Sequence, residues 1–294
     1  MSERAPNQDN WAGYAVCEQE SLKQKKIMRT MLNTVVEYGL IEEGDHVMVA
    51  ISGGKDSYTL LDLLVSAQKR APFDFKITAV HLDQVQPGYD GKPLEDWLLK
   101  HGIPHRIIRE DTYSVVMDKT KPGGTYCALC SRLRRGILYR VAGEISANKI
   151  ALGHHRDDSL ETLLLNLVYA GKLQAMPPKY LTDDGKFHVI RPLVEVAEKD
   201  IINFATQKAY PILPCNLCGS QDGLKRERMK QLLDMLEEEK SDVRSVMLNA
   251  LKNVQVTHLL DKRFIDGAVP AASSKRRFAL LESSACSENG ANLT

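Results

Sequence analysis

Three short strings carry most of the chemistry available to this chain. The first, Ser52-Gly53-Gly54-Lys55-Asp56-Ser57, follows an apolar run at residues 47–51 and precedes the apolar pattern of Leu60, Leu61, Leu63 and Leu64. The run reads as a strand buried on both faces, and the pattern after it as a helix. Glycines at the junction let the backbone turn tightly and lie close to a ligand. Such a junction aims backbone N–H groups and a helix dipole at an anion. Ser52 and Ser57 add hydroxyls and Lys55 adds a cation. The second string is Gly153-His154-His155-Arg156-Asp157-Asp158. Adjacent carboxylates after a strand suit Mg2+, which keeps its waters and bridges phosphates. His154, His155 and Arg156 suit phosphate oxygens. The plainer alternative is that Asp157 and Asp158 occupy the first turn of the next helix, stabilised by its dipole. The third string occurs twice, as Cys127-Ala128-Leu129-Cys130 and Cys215-Asn216-Leu217-Cys218.

Two C-x-x-C pairs read first as a four-cysteine zinc site. They suit an iron–sulfur cluster as well, because thiolates serve both, and one pair alone suits a redox dithiol. The pairs lie too far apart in sequence for one local finger, so the fold must join them. An enzyme that activates a carbon–oxygen bond with AMP needs a nucleophile to displace it. A cysteine persulfide, or sulfide on an iron with an open position, would serve, so thiolates beside a nucleotide loop point to sulfur transfer. Cys17 and Cys286 stand in terminal segments and read as bystanders.

The elements that must position these strings alternate. Strands are expected at 47–51, 76–82, 105–109 and 149–152, and helices at 22–38, 59–68, 94–101, 131–147, 160–169, 198–208, 225–239 and 243–254. Strands alternating with helices imply a doubly wound parallel α/β sheet covered on both faces. Ligands bind such sheets beyond the carboxyl ends of the strands. The segments at 52–57, 81–84 and 153–158 all follow strands and should converge on one cleft. Residues 171–192, with Met176-Pro177-Pro178 and Asp183-Asp184-Gly185, read as loop or hairpin. Residues 1–20 read as a flexible leader, 21–262 as one domain with helical additions, and 263–294 as a disordered tail that includes Lys275-Arg276-Arg277.

Composition bounds the rest. The chain has 294 residues, 43% hydrophobic and 26% charged, which is ordinary for a globular protein. A net charge of +1 announces no nucleic-acid partner, so any basic surface must be local. No apolar run reaches the roughly 20 residues of a membrane span, and residues 1–20 carry no signal-peptide core. A cytoplasmic protein without a membrane partner is expected, where structural disulfides are disfavoured.

The 52–57 string is too short for the usual mononucleotide loop and lacks the dinucleotide pattern. It resembles the pyrophosphate-binding loop of the N-type ATP pyrophosphatases, the PP-loop superfamily, which cleave ATP between its α and β phosphates. A longer set of strings resembles one family within it, the bacterial tRNA 2-thiocytidine synthetases of the TtcA type, over about residues 22–260. These are the 52–57 loop, Cys127-x-x-Cys130 continuing as Ser131-Arg132-Leu133-Arg134-Arg135-Gly136, the 153–158 string, Met176-Pro177-Pro178-Lys179, and Pro214-Cys215-Asn216-Leu217-Cys218-Gly219-Ser220-Gln221.

The resemblance implies the Rossmann-like fold of the adenine-nucleotide α-hydrolases and an ATP-dependent sulfurtransferase. That enzyme replaces the C2 oxygen of cytidine 32, in the tRNA anticodon loop, with sulfur. It implies a [4Fe–4S] cluster on three cysteines: Cys127, Cys130 and Cys218, with Cys215 the alternative third ligand. Carried over, Ser52, Gly53, Gly54, Lys55, Asp56 and Ser57 would cradle pyrophosphate, and Asp56 and Asp157 would position Mg2+. Lys55 would act as the main catalytic cation, and His81, Gly153 and His154 would line the nucleotide site, with main chain near 80–82 facing adenine. Arg132, Arg134 and Arg135 are candidates for tRNA phosphates, as are Lys225, Arg226, Arg228 and Lys230. The alternative is that half of these cations make helix-surface ion pairs. A cysteine desulfurase would supply the sulfur, and family members are often homodimers. The rival readings are thiolation of a tRNA uridine and a zinc-stabilised RNA-binding module without turnover.

Overall fold

The computed structural model describes residues 22–119, 126–213 and 221–264. Cys215 and Cys218, the leader, and the tail from residue 265 onward lie outside the described residues, as do Cys17, Cys286 and the 275–277 basic run. The elements run α1 (Leu22–Glu37), β1 (His46–Ala50), α2 (Lys55–Gln68), β2 (Lys76–Asp83), α3 (Lys92–Lys100), β3 (His105–Arg109) and α4 (Thr112–Lys119). They continue as α5 (Tyr126–Glu144), β4 (Lys149–Ala151), α6 (Arg156–Tyr169), β5 (Lys179–Leu181), β6 (His188–Ile190), α7 (Glu198–Lys208), α8 (Gln221–Glu239) and α9 (Val243–Lys252). Residues up to Lys252 belong to one compact unit and those from Asn253 to a second, whose described part holds two single-turn 3-10 helices.

The six strands form one sheet in the order β3-β2-β1-β4-β6-β5. Every neighbouring pair is parallel except β5 with β6, which is antiparallel. The sheet is the doubly wound α/β arrangement the alternation implies. Its order reverses at β1, which has β2 on one side and β4 on the other. That reversal opens a crevice at the carboxyl ends of β1 and β4.

Burial alternates along the strands as the pleat requires. Val47, Val49 and Ile51 enter a core with Met31, Leu60, Leu64, Ile201 and other residues of α1, α2, α3 and α7. Met48, Val80, Ile150 and Val189 face the other way, against Ile137, Val141 and Ala142 of α5. A third cluster joins Leu160 and Leu164 of α6 to Met229 and Leu233 of α8. Lys149, 2% exposed on β4, is neutralised at the opposite end of the sheet by Asp45 at 2.6 Å and Glu42 at 2.9 Å.

Several boundaries differ from the sequence expectation, for physical reasons. Helix α2 starts at Lys55, four residues before the expected 59, because Lys55, Asp56 and Ser57 need no apolar pattern to form a first turn. Helix α6 likewise starts at Arg156. Helix α5 starts at Tyr126, so Cys127 and Cys130 belong to its first turns. It stops before residue 147 because the chain turns at Ser146, whose φ is +55°. Helix α4 went unforeseen, since its eight residues bury only Thr112 and Val116.

Candidate active site

The three segments that follow β1, β2 and β4 do converge. Gly153 lies so close to the 52–57 loop that a Cβ there would stand 3.1 Å from the Asp56 carbonyl and from Ser57 N. His81, on β2, reaches the end of β1: its Nδ1 lies 2.8 Å from the Ile51 carbonyl oxygen.

The loop is tied by its own side chains. Ser52 N–H donates to Ser57 Oγ at 3.1 Å, and Ser57 Oγ donates to the Gly54 carbonyl at 2.9 Å. Gly53 takes φ +85°, a conformation that suits glycine. Two helix N-termini face the crevice, and they differ. The N-terminus of α6 is closed by a capping box: Asp158 N–H donates to the His155 side chain, and His155 N–H donates to the Asp158 carboxylate. The N-terminus of α2 begins at Gly54, with no side-chain cap. Of its first-turn amides, Ser57 N–H donates to the Gly54 carbonyl at 3.1 Å, while those of Lys55 and Asp56 have no helical partner, so α2 is the end that can accept an anion.

Around that end lies a net of alternating charge. Lys55 Nζ stands 3.0 Å from Asp56 Oδ1 and 3.0 Å from Glu198 Oε1. The other oxygen of Glu198 meets Lys230 Nζ at 3.3 Å. Arg226 Nη1 lies 3.3 Å from Asp158 Oδ1, and its Nε 3.6 Å from Glu161 Oε2. His155 accepts at Nδ1, so Nε2 carries its proton, and that atom stands 3.8 Å from Asp56, 3.4 Å from Asp158 and 4.0 Å from Glu198. Burial alone would lower the pKa of Lys55, but the Asp56 and Glu198 carboxylates outweigh it and the group stays firmly cationic. Burial would raise that of Glu198; Lys55, His155 and Lys230 hold it below the usual range.

Two of the expected site residues have other work. Asp157 is 4% exposed and its carboxylate is filled. Oδ2 accepts Glu198 N–H at 2.8 Å, and Oδ1 accepts Arg244 Nη1 at 2.9 Å and Arg156 Nη2 at 3.3 Å. Burial would raise its pKa, but these donors hold it low. A carboxylate so saturated serves as a clamp joining α6, α7 and α9, and its donors would have to give way for the Mg2+ role expected of it. His81 is 3% exposed and burial lowers its pKa, so the ring is neutral. The Ile51 carbonyl can only accept, so Nδ1 carries the proton and Nε2 accepts from Tyr89 OH at 2.6 Å. Both ring nitrogens are thus engaged, and the ring fixes the end of β1 at the border of the site.

His154 sits half-buried with its pKa pushed down to about 4 by burial and by Arg191. Arg191 Nε donates to His154 Nδ1 at 3.2 Å and Nη1 to the Pro177 carbonyl at 2.8 Å, so the Met176-Pro177-Pro178 segment is anchored to the 153–158 loop.

Glu198, Arg191 and Arg244 escaped the sequence reading. Glu198 had one signal, an acid in the first turn of a helix. Arg191 and Arg244 had none, because a guanidinium in a polar stretch or on an amphipathic helix reads as surface.

Among the described residues no three His, Cys, Asp or Glu side chains are arranged to hold a metal. Mg2+ asks less, one or two carboxylates with the rest of its shell from phosphate and water. Asp56 fits: its Oδ1 is buried and, apart from the Lys55 ammonium 3.0 Å away, has no hydrogen-bond partner. The donor types for an iron–sulfur cluster are thiolates. Cys130 Sγ lies on α5 beside Gln84, 3.2 Å from its Oε1, just beyond β2. Arg132 and Arg135 on the same helix are exposed, Arg134 is half-buried, and none of the three makes an ion pair among the described residues.

The PP-loop domain family matches residues 23–213. A tRNA-cytidine(32) 2-sulfurtransferase of Tolumonas auensis is 52% identical over 243 residues, covering 83% of this chain and 80% of that protein. That of Chromohalobacter salexigens is 51% identical over 83% of this chain and 86% of its own length. The chain belongs to the tRNA-cytidine(32) 2-sulfurtransferase family. It is thus a sulfurtransferase built on the ATP-binding PP-loop fold. The sulfurtransferase also shares its fold with the U34-tRNA thiolase NcsA from Methanococcus maripaludis with its [4Fe–4S] cluster. The TM-score is 0.64 at 21% identity, over 84% of this chain and 82% of that one.

Proposed function

We propose that this chain uses ATP to replace the C2 oxygen of cytidine 32 in tRNA with sulfur. The observation that supports it most is the uncapped N-terminus of α2, ringed by Lys55 and Asp56, in a chain half identical to proteins of that name. The triphosphate lies at that N-terminus. Amides at Gly53 and Gly54, with Ser52 and Ser57, hold the departing pyrophosphate, and Lys55 neutralises the charge that builds there, commonly the largest catalytic contribution. Asp56 would hold Mg2+. Gly153 lets the β4 loop lie flat against this cradle, and His154 borders it.

The C2 oxygen forms a bond to the α-phosphorus as the bond to pyrophosphate breaks, giving an adenylated base. A sulfur nucleophile then forms the C2–S bond and the C2–O bond breaks, releasing AMP. Cys127, Cys130 and Cys218, or Cys215 in place of the last, would hold a [4Fe–4S] cluster, which when bound supplies an iron with an open position for sulfide. A cysteine desulfurase supplies the sulfur, the site of action is the cytoplasm, and a homodimer belongs to the same reading. No described helix is long and apolar enough to cross a membrane. The target base lies in a single-stranded loop and can be splayed out, with Arg132, Arg134 and Arg135 of α5 as phosphate contacts.

The test is anaerobic. Iron- and sulfide-reconstituted protein is incubated with ATP, Mg2+, sulfide and unmodified tRNA, and the digested nucleosides are weighed by mass spectrometry. Thiocytidine is expected, lost with Cys127→Ala and reduced about a hundredfold or more with Lys55→Ala. The contrast of Cys215→Ala with Cys218→Ala identifies the third ligand. Thiouridine would move the chain to the uridine thiolases, and tight zinc and tRNA binding without turnover would make it a binding module.

A further inference from the structure

The cations of α8 fall on two faces. Lys225 and Arg228 are exposed, with Lys225 Nζ 5.2 Å from the centre of the Tyr169 ring. Arg226 and Lys230, four residues apart and so on one helical face, turn inward beside Met229 and Leu233, which pack on Leu160 and Leu164. The inward pair does not stop at the helix's own acids. Lys230 reaches Glu198 at 3.3 Å, and Arg226 reaches Asp158 at 3.3 Å. Glu198 is the group that holds Lys55 through its other oxygen. One carboxylate therefore stands between the catalytic lysine of the loop and a lysine from an element far downstream in the chain.

Such pairs exchange readily. Lys230 and Glu198 are 42% and 21% exposed, and Arg226 is 43% exposed. Ion pairs of that exposure contribute little net free energy. A triphosphate arriving at α2 brings a higher charge density than a carboxylate and offers charge-assisted hydrogen bonds. It also arrives beside Asp56, Asp158 and Glu198, whose repulsion Lys55 alone does not offset.

We propose that Lys230, with Arg226 beside it, is a further phosphate-binding cation of the nucleotide site, held by Glu198 and handed to the pyrophosphate half of ATP when the nucleotide binds. This rests on the ATP reading of the 52–57 loop. It removes Lys230 and Arg226 from the tRNA-contact candidates and leaves Lys225 and Arg228 there. No bond is made or broken in the exchange; one anionic partner replaces another.

The experiment is titration calorimetry of the full-length protein with Mg2+ and, separately, ATP, inorganic pyrophosphate and AMP. Lys230→Gln is expected to weaken ATP and pyrophosphate about tenfold and AMP less than twofold, because AMP lacks the phosphates that Lys230 meets. Lys230→Arg is expected to restore most of the loss, and thermal melts check that both variants fold. Equal weakening of ATP and AMP by Lys230→Gln would assign Lys230 a purely structural role and overturn the proposal, as would unchanged ATP binding. Wild-type protein that binds neither ATP nor pyrophosphate would instead overturn the ATP reading of the loop, and the proposal with it.

Discussion

Leu213 closes on Gly53 from both sides of the peptide: its N–H donates to the Gly53 carbonyl at 3.0 Å, and its side chain occupies the space where a Gly53 Cβ would stand. A Cβ there would lie 2.9 Å from Leu213 Cδ1, on a backbone with φ +85°. The residue at the threshold of the second cysteine pair thus sets the shape of the pyrophosphate loop. Gly53→Ala should lose roughly 1–3 kcal/mol of stability to backbone strain, more with the clash, and most of its ATP binding. Adding Leu213→Ala should recover the steric part alone. Urea midpoints and ATP titrations of the two variants measure this; no recovery in the double variant would remove Leu213 from the account.

Gly153→Ala should act differently. Its backbone is not in the left-handed region, so no torsional strain arises, but its Cβ would press on the main chain of Asp56 and Ser57 at 3.1 Å. Backbone cannot swing aside as a side chain can, so the loop must shift by a few tenths of an ångström. The expected result is a loss of turnover well beyond the roughly 1–3 kcal/mol of overpacking seen in a melt. Wild-type turnover in a protein of lowered stability would show that the loop tolerates displacement.

The Asp157–Arg244 clamp is a stability prediction. Arg244 is 6% exposed and also binds Glu237 at 2.8 Å and Asp234, so it ties α8 and α9 to the start of α6. Removing one member of a buried pair leaves its partner's charge uncompensated and costs about 3–5 kcal/mol. Arg244→Met should therefore fall near the edge of folding, while Arg244→Met with Asp157→Asn should be the more stable of the two. Chemical denaturation orders them, and the reverse order would refute the clamp.

Two groups, His154 half-buried and Glu161 buried, make stability depend on pH in opposite senses. His154, ordinarily near 6.5, is lowered to about 4, so its neutral form favours folding. Its contribution is complete above pH 6.5 and is lost as pH falls from there towards 4. Glu161, ordinarily near 4.5, is raised to about 7, chiefly by burial. Its protonated form favours folding, so stability declines as pH rises from 4.5 to 7. Each difference corresponds to about 3 kcal/mol at most, and the two offset between pH 4.5 and 6.5. Glu161→Gln should unmask a steep acid loss below pH 6.5, and His154→Gln a decline towards pH 7. Denaturation midpoints across pH 4 to 8 test both, and parallel profiles in the two variants would contradict the opposition.

The chemistry of this protein was written in its linear strings. Alternation of strand and helix dictated a parallel sheet, and residues after strands must gather at one edge of such a sheet, so the 52–57, 81–84 and 153–158 segments were legible as one cleft. Periodicity reports which side chains are buried; it is silent on which polar groups meet. Asp157 and Asp158 are neighbours of one type, yet Asp157 is sealed under Arg244 while Asp158 caps α6 and meets Arg226. His81 and Glu198 exchange their expected standing for the same reason: the ring is consumed by Ile51 and Tyr89, and the unremarked carboxylate bridges Lys55 and Lys230. Apart from Tyr89, eight residues from His81, those partners lie tens of residues or more apart in the chain. Only packing brings α2, α7 and α8 together, so only the tertiary structure decided which charges meet beside the 52–57 loop and which are sealed inside the protein.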